Sequence, residues 1–137
     1  MCLALYREDP GVTTVEPGQV RETLALFERE PARGRALVAE VKDRLVGYAL
    51  LVPFWSNGVG GEVCEVDELY VRAERRGEGL GSALFRAIDD GRFGAFAGIA
   101  LGVSPANVRA RRLYERLGFR PAGTTMLRRR AGPGAAP

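Results

Sequence analysis

The sequence predicts an α/β fold, and three observations carry that expectation. Apolar residues recur at alternate positions in some stretches and at helical spacing in others, so strands and helices interleave. The middle of the chain runs strand, glycine-rich loop, helix, strand, helix. With 137 residues and 46% hydrophobic content there is material for one core and too little for two, so residues 1–130 are expected to form a single domain.

Taken in order, "MCLALYRED" carries apolar residues on both alternate sets and reads as the end of a helix, with Leu3 and Tyr6 on its face; a strand over Cys2 to Tyr6 is the alternative. "EPGQVRETLALFERE" places Val20, Leu24 and Phe27 at helical spacing after Pro17, a helix of about three turns. "RALVAEV" and "RLVGYALLVPF" are aliphatic runs joined by Lys42, Asp43 and Arg44, which reads as a strand hairpin. After the glycine-rich "SNGVGGE", Glu62 to Val71 alternates apolar and acidic residues and closes on an apolar triplet, as in a strand whose last part is buried on both faces. From Gly79 the pattern turns helical, with Leu80, Ala83, Leu84, Ala87 and Ile88 on one face. Gly98 to Val103 is the next strand. Ser104 can cap and Pro105 can open a helix bearing Ala110, Leu113, Tyr114 and Leu117 and stopping at Gly118. "TTMLRRR" reads as a last strand, and residues 131–137 as a disordered tail.

Composition excludes several classes. Two cysteines, Cys2 and Cys64, are too few for a disulfide framework, and a chain without histidine offers no zinc site, so no metal is expected. No apolar run approaches the roughly 20 residues of a membrane span, and the N-terminus lacks a signal peptide's features. A soluble cytoplasmic protein is expected, with no membrane partner. The net charge of +3 rests on arginine, Lys42 being the lone lysine. Acidic residues interleave throughout, so no nucleic-acid partner is expected; a steep salt dependence of DNA affinity would mark one.

The glycines at 77, 79 and 81 stand directly before a helix. A helix start offers unpaired N–H groups and the positive end of its dipole, and glycine lets a phosphate approach without side-chain collision. A P-loop would need Gly-Lys-Ser/Thr, but Gly81 is followed by Ser82, which argues against ATP. A dinucleotide fingerprint needs a different glycine spacing and an acidic residue at a later strand end, whereas Asp89 and Asp90 lie on the helix itself.

"VDELYVRAERRGEGLGSALFRAI" resembles the acetyl-CoA motif of the GNAT superfamily of N-acetyltransferases, with its Arg/Gln-x-x-Gly-x-Gly/Ala signature at Arg76, Gly79 and Gly81. "ANVRARRLYERLGF" resembles the family's other motif, with Asn107 and Tyr114 seven residues apart. The resemblance covers roughly Arg35 to Phe119. It implies a mixed, strongly twisted sheet flanked by helices, with acetyl-CoA as co-substrate wedged where two strands splay apart. The family usually opens with a strand before its first helix, and the helical reading of "MCLALYRED" departs from it, so that first strand is expected to be lacking here. Backbone groups of Leu69, Tyr70 and Val71 would then bond the pantetheine arm, and amides of Gly77, Glu78, Gly79, Leu80, Gly81 and Ser82 would take the pyrophosphate, flanked by Arg76. Asn107 would contact coenzyme A and Tyr114 would sit by the sulfur.

Transfer of an acetyl group to an amine needs a base, donors for the oxyanion and an acid for the thiolate. Without histidine the bases are carboxylates. Asp67, nine residues before Arg76, matches the family's usual one; Glu68 is the reserve and Glu65 a third. In a regular strand only one of Asp67 and Glu68 can face the acceptor. Tyr114 is the acid that the resemblance implies. Carboxylates beside the thioester favour a small cationic amine, such as a polyamine, amino acid or aminoglycoside. The alternatives are acetylation of a protein N-terminus or lysine, and a non-catalytic acyl-CoA-binding module. A helical beginning would leave a sheet edge uncovered, so a homodimer is expected.

Overall fold

The computed structural model describes residues 1–9 and 14–128. Four strands, β1 (Arg35–Val41), β2 (Arg44–Ser56), β3 (Gly61–Val71) and β4 (Gly98–Leu101), form one sheet in that order among the described residues. The first three are antiparallel neighbours and β4 runs parallel to β3, so the sheet is mixed. A parallel neighbour requires a crossover, and helix α3 (Leu80–Asp89) supplies it. The β1–β2 hairpin turns on Lys42 and Asp43 alone, with φ of 50° and 60°, and Arg44 already pairs with Val41. Two consecutive left-handed residues give the tight turn whose twist matches the strands.

Each face of the sheet has its own cover. Ala49, Leu51, Cys64 and Val66 pack against Phe85 and Ile88 of α3 and against Tyr114 and Leu117 at the end of α4 (Val108–Arg116). Burial pushes the Cys64 thiol up to about 11, so this cysteine behaves as an inert core group. On the opposite face Tyr48, Leu50 and Tyr70 lie under α1 (Cys2–Glu8) and α2 (Pro17–Arg29), through Cys2, Ala4, Leu5 and Phe27. The chain therefore begins on a helix, and β1 is a free edge among the described residues.

Four expectations change. Residues 124–128 form no strand; Met126 and Leu127 are exposed, so the predicted pairing partner is not engaged, and the remaining residues of "TTMLRRR" and the tail lie outside the described residues. Helix α4 starts at Val108, because the Asn107 side chain accepts the Ala110 amide at 3.1 Å; Ser104 instead closes the preceding turn by accepting the Ala106 amide. On α3 the most deeply buried residue is Phe85, with Ile88, while Ala83 is exposed, so the buried stripe lies one residue away from the one the aliphatic pattern suggests. Leu3 points outward, and Cys2 and Leu5 make the contact with the sheet.

Candidate active site

The site begins at an irregularity in β3. Leu50 of β2 faces Glu68, but Leu51 faces Val66, so Asp67 is an extra residue, a β-bulge. Pairing of β3 with β4 also ends there, at Val66 opposite Leu101. From Asp67 to Val71, β3 keeps β2 on one side and has no β4 partner on the other. Leu69, Tyr70 and Val71 thus border a gap between strands, although the Val71 carbonyl already accepts Arg76 Nε at 2.9 Å.

Because of the bulge, Asp67 and Glu68 both line one cavity on the α1/α2 side, which corrects the expectation that only one of them could. Glu68 is gripped at both oxygens: the Tyr6 hydroxyl donates to Oε1 and the Tyr48 hydroxyl to Oε2, each at 2.6 Å. Burial above all pushes both phenols above their ordinary range, and the bonded Glu68 carboxylate adds to it, so they remain donors. The Asp67 side chain is exposed and makes no hydrogen bond with the described residues. Glu65 lies outside this cavity, paired with Val52 and Ala100 in the sheet.

The glycine loop opens α3 as expected. Gly77 and Gly79 have φ of 82° and 80°, a region costly for other residues, and the space where their Cβ atoms would stand is open. Amides of residues 77 to 82 make no hydrogen bond with the described residues, and Gly79 caps the helix with no side-chain bond. The Glu78 side chain pairs with Arg75. Gly81 differs from the other two: a Cβ there would stand 3.0 Å from Leu113 Cδ2, so its smallness also serves the packing of α3 on α4.

The end of α1 reaches this loop and α4 together. Glu8 binds the Arg76 guanidinium, which also lies 5.4 Å over the Tyr70 ring, and Tyr70 donates to Glu8 at 3.0 Å. Hydrogen bonds from Arg76, then Tyr70, hold the Glu8 carboxyl below its ordinary range. Asn107 Nδ2 donates to Asp9 at 2.8 Å. Tyr114 stacks edge-on against Phe85 and Phe119, and burial, with the nearby Asp9 charge, raises its phenol.

Residues 2–119 match the Acetyltransferase (GNAT) family. The chain belongs to the GNAT acetyltransferase family. It is 39% identical over 85 residues to an uncharacterised N-acetyltransferase of Methanocaldococcus jannaschii, an alignment covering 61% of this chain and 51% of that one. It spans between 36% and 51% of the length of the first curated relatives it matches. Among solved structures, a possible acetyltransferase from Clostridium difficile superimposes with a TM-score of 0.77 at 21% identity, over 96% of this chain and 88% of that one. An aminoglycoside N-acetyltransferase in complex with CoA gives 0.66 at 20% identity, over 84% and 90%.

Within this GNAT chain, four residues of the network escaped the sequence reading. Tyr6 and Tyr48 clamp Glu68, while Glu8 and Asp9 occupy Arg76 and Asn107. Their signal was faint: Tyr48 and Tyr70 are directly opposed in register with Glu68 on the neighbouring rung, a pairing that becomes visible only once the bulge is placed. Among the described residues no group of three or more His, Cys, Asp or Glu could hold a metal ion, and no helix is long and apolar enough to cross a membrane.

Proposed function

We propose that the chain transfers the acetyl group of acetyl-CoA directly to the primary amine of a small cationic molecule. The observation that carries this reading is the gap where β3 leaves β4 at Val66 and Leu101, with the uncommitted amides of residues 77 to 82 at one end and the Asp67 and Glu68 cavity beside it. These features fit the co-substrate: free N–H groups at a helix start suit a pyrophosphate, and an unpaired strand edge suits the amide-bearing pantetheine arm. Acetyl-CoA supplies the acetyl group as a thioester and leaves as the thiol. Arg76 would pair with phosphate in place of Glu8, and Asn107 would turn its amide from Asp9 toward coenzyme A.

The acceptor enters as an ammonium and must lose two protons overall. Asp67, which has no competing partner among the described residues, is the first acceptor of a proton; Glu68, held by two phenols, orients the ammonium and is the alternative base. Nitrogen then forms its bond to the acetyl carbon while the carbon–sulfur bond breaks. Tyr114, kept protonated by its raised phenol, gives its proton to the thiolate and recovers one from the amine side through solvent. An acetyl-CoA turnover screen across amines and peptides, with free thiol as readout, tests the reading. Turnover confined to peptides would redirect it to protein acetylation, and binding of acetyl-CoA with no turnover at all would leave an acyl-CoA-binding module.

A further inference from the structure

The cavity on the α1/α2 side has a volume of about 350 Å³, and its wall is divided. At the β3 end stand Asp67 and Glu68. Toward α2 and β1 the lining is apolar, with Val20, Leu24, Val38 and Leu50 prominent; Leu24 is 43% and Val38 60% exposed, so apolar surface is on offer there. The polar side chains between have largely spent their capacity within the chain. Thr23 donates to the Gln19 carbonyl at 3.0 Å, Gln19 Oε1 accepts the Glu16 amide at 2.8 Å, and Tyr6 and Tyr48 donate to Glu68. The charged side chains of the lining are Asp67 and Glu68, and both stand at one end.

We infer that the acceptor is a primary amine with a single cationic head and an apolar body, of arylalkyl or branched alkyl type. This rests on the acetyltransferase reading and narrows it. The ammonium would sit between Asp67 and Glu68, and the body would cover Val20, Leu24 and Val38, gaining from apolar area removed from water. A dry cavity of about 150 Å³ accepts a benzene ring, so this one has room for a ring and a short carbon arm. An aminoglycoside would press several hydroxyls against aliphatic side chains that offer no hydrogen bond, which is costly. A polyamine would carry its second charge to the end that has no carboxylate.

The test pairs turnover with binding, using 2-phenylethylamine and isoamylamine against spermidine, putrescine and kanamycin. Free-thiol release gives kcat/KM, and thermal shift without acetyl-CoA gives binding. The expected result is a kcat/KM for the apolar amines about tenfold or more above the others, a scale typical of pocket discrimination. Val38→Glu, which adds a carboxylate at the apolar end, should move the preference toward putrescine. Thermal shift by 2-phenylethylamine that Glu68→Gln removes, in a protein that turns over no amine, would uphold the cavity's specificity while the transferase reading fails. Preferred turnover of kanamycin or spermidine would overturn the specificity and leave the transferase reading standing. Absence of both binding and turnover for the apolar amines would also overturn it.

Discussion

The two faces of the sheet solve different problems. On the α3/α4 face Phe85, Ile88, Cys64 and Val66 make a dry core in which aromatic rings meet edge-on, Phe85 and Phe119 at 5.3 Å. On the α1/α2 face the buried residues include Tyr48 and Tyr70, whose hydroxyls tie the sheet to carboxylates and to α1. One face is held by shape and area, the other by directed polar bonds. The difference teaches where stability and chemistry reside: cavities in the first should cost folding, and changes in the second should redirect binding.

The largest effect should come from breaking the dry face. Phe85→Ala removes a side chain that is 2% exposed and should cost about 3–5 kcal/mol in urea denaturation. Glu68→Gln on the other face should shift the midpoint far less, and an equal shift would erase the contrast. Tyr114→Phe comes next, since Tyr114 packs in the dry face yet is assigned chemistry. Keeping the ring should preserve the fold while kcat falls about 10²-fold, equivalent to about 2.7 kcal/mol of barrier, with little change in the acetyl-CoA KM. Full kcat with chemistry rate-limiting would return Tyr114 to packing alone.

The α1 contact sharpens the polar side of the comparison. Glu8→Gln should tighten acetyl-CoA binding, because Arg76 loses its carboxylate partner, and added salt should narrow the gap between variant and parent. The Glu8 carboxyl is held below its ordinary range, so its contact is complete above that range and is lost as pH falls through the lowered value. The affinities of parent and variant should therefore converge in acid, as titration calorimetry would show. Weaker binding by Glu8→Gln would mean that Glu8 positions Arg76 for the phosphate. The smallest effect belongs to neither face: Asp43→Gly relieves a left-handed residue in the hairpin turn and should add about 0.5–1 kcal/mol of stability without altering turnover.

The same division explains what could be read from the amino-acid string. The stripe Ala110, Leu113, Tyr114 and Leu117 on α4, the hairpin, and the helical start were legible because burial imposes a period on apolar residues. The glycine loop was legible because left-handed backbone at 77 and 79 demands a residue type. Phe85 was missed as the deepest residue of α3 because small alanines imitate an aliphatic face without filling it. The clamp on Glu68 and the hold of Glu8 and Asp9 on Arg76 and Asn107 join residues 20 to 98 positions apart, and such hydrogen bonds leave no periodic trace. The helix start at Asn107 was missed because Ser104 and Pro105 offer an equally good local signal, and the choice was made by the Ala110 amide.

Asp67 also sets the parity of β3. Before it the even-numbered residues, Cys64 and Val66, look toward α3; after it that side belongs to odd-numbered Leu69, and even-numbered Glu68 and Tyr70 look toward α1. Were the bulge pulled straight, with Asp67 taking a rung of its own, Glu68 and Tyr70 would fall on the side of Cys64 and Val66 and the carboxylate would enter the aromatic core. Deleting Asp67 instead leaves Glu68 opposite Leu50 and Val66 opposite Leu51, with both faces kept. Substitution at 67 alters one carboxylate, and loss of the position removes that carboxylate while sparing the facing of every residue after it. At position 67 β3 carries one residue more than β2 opposite it, and that surplus is the slack that lets the numbering change parity while the strand keeps its two sides.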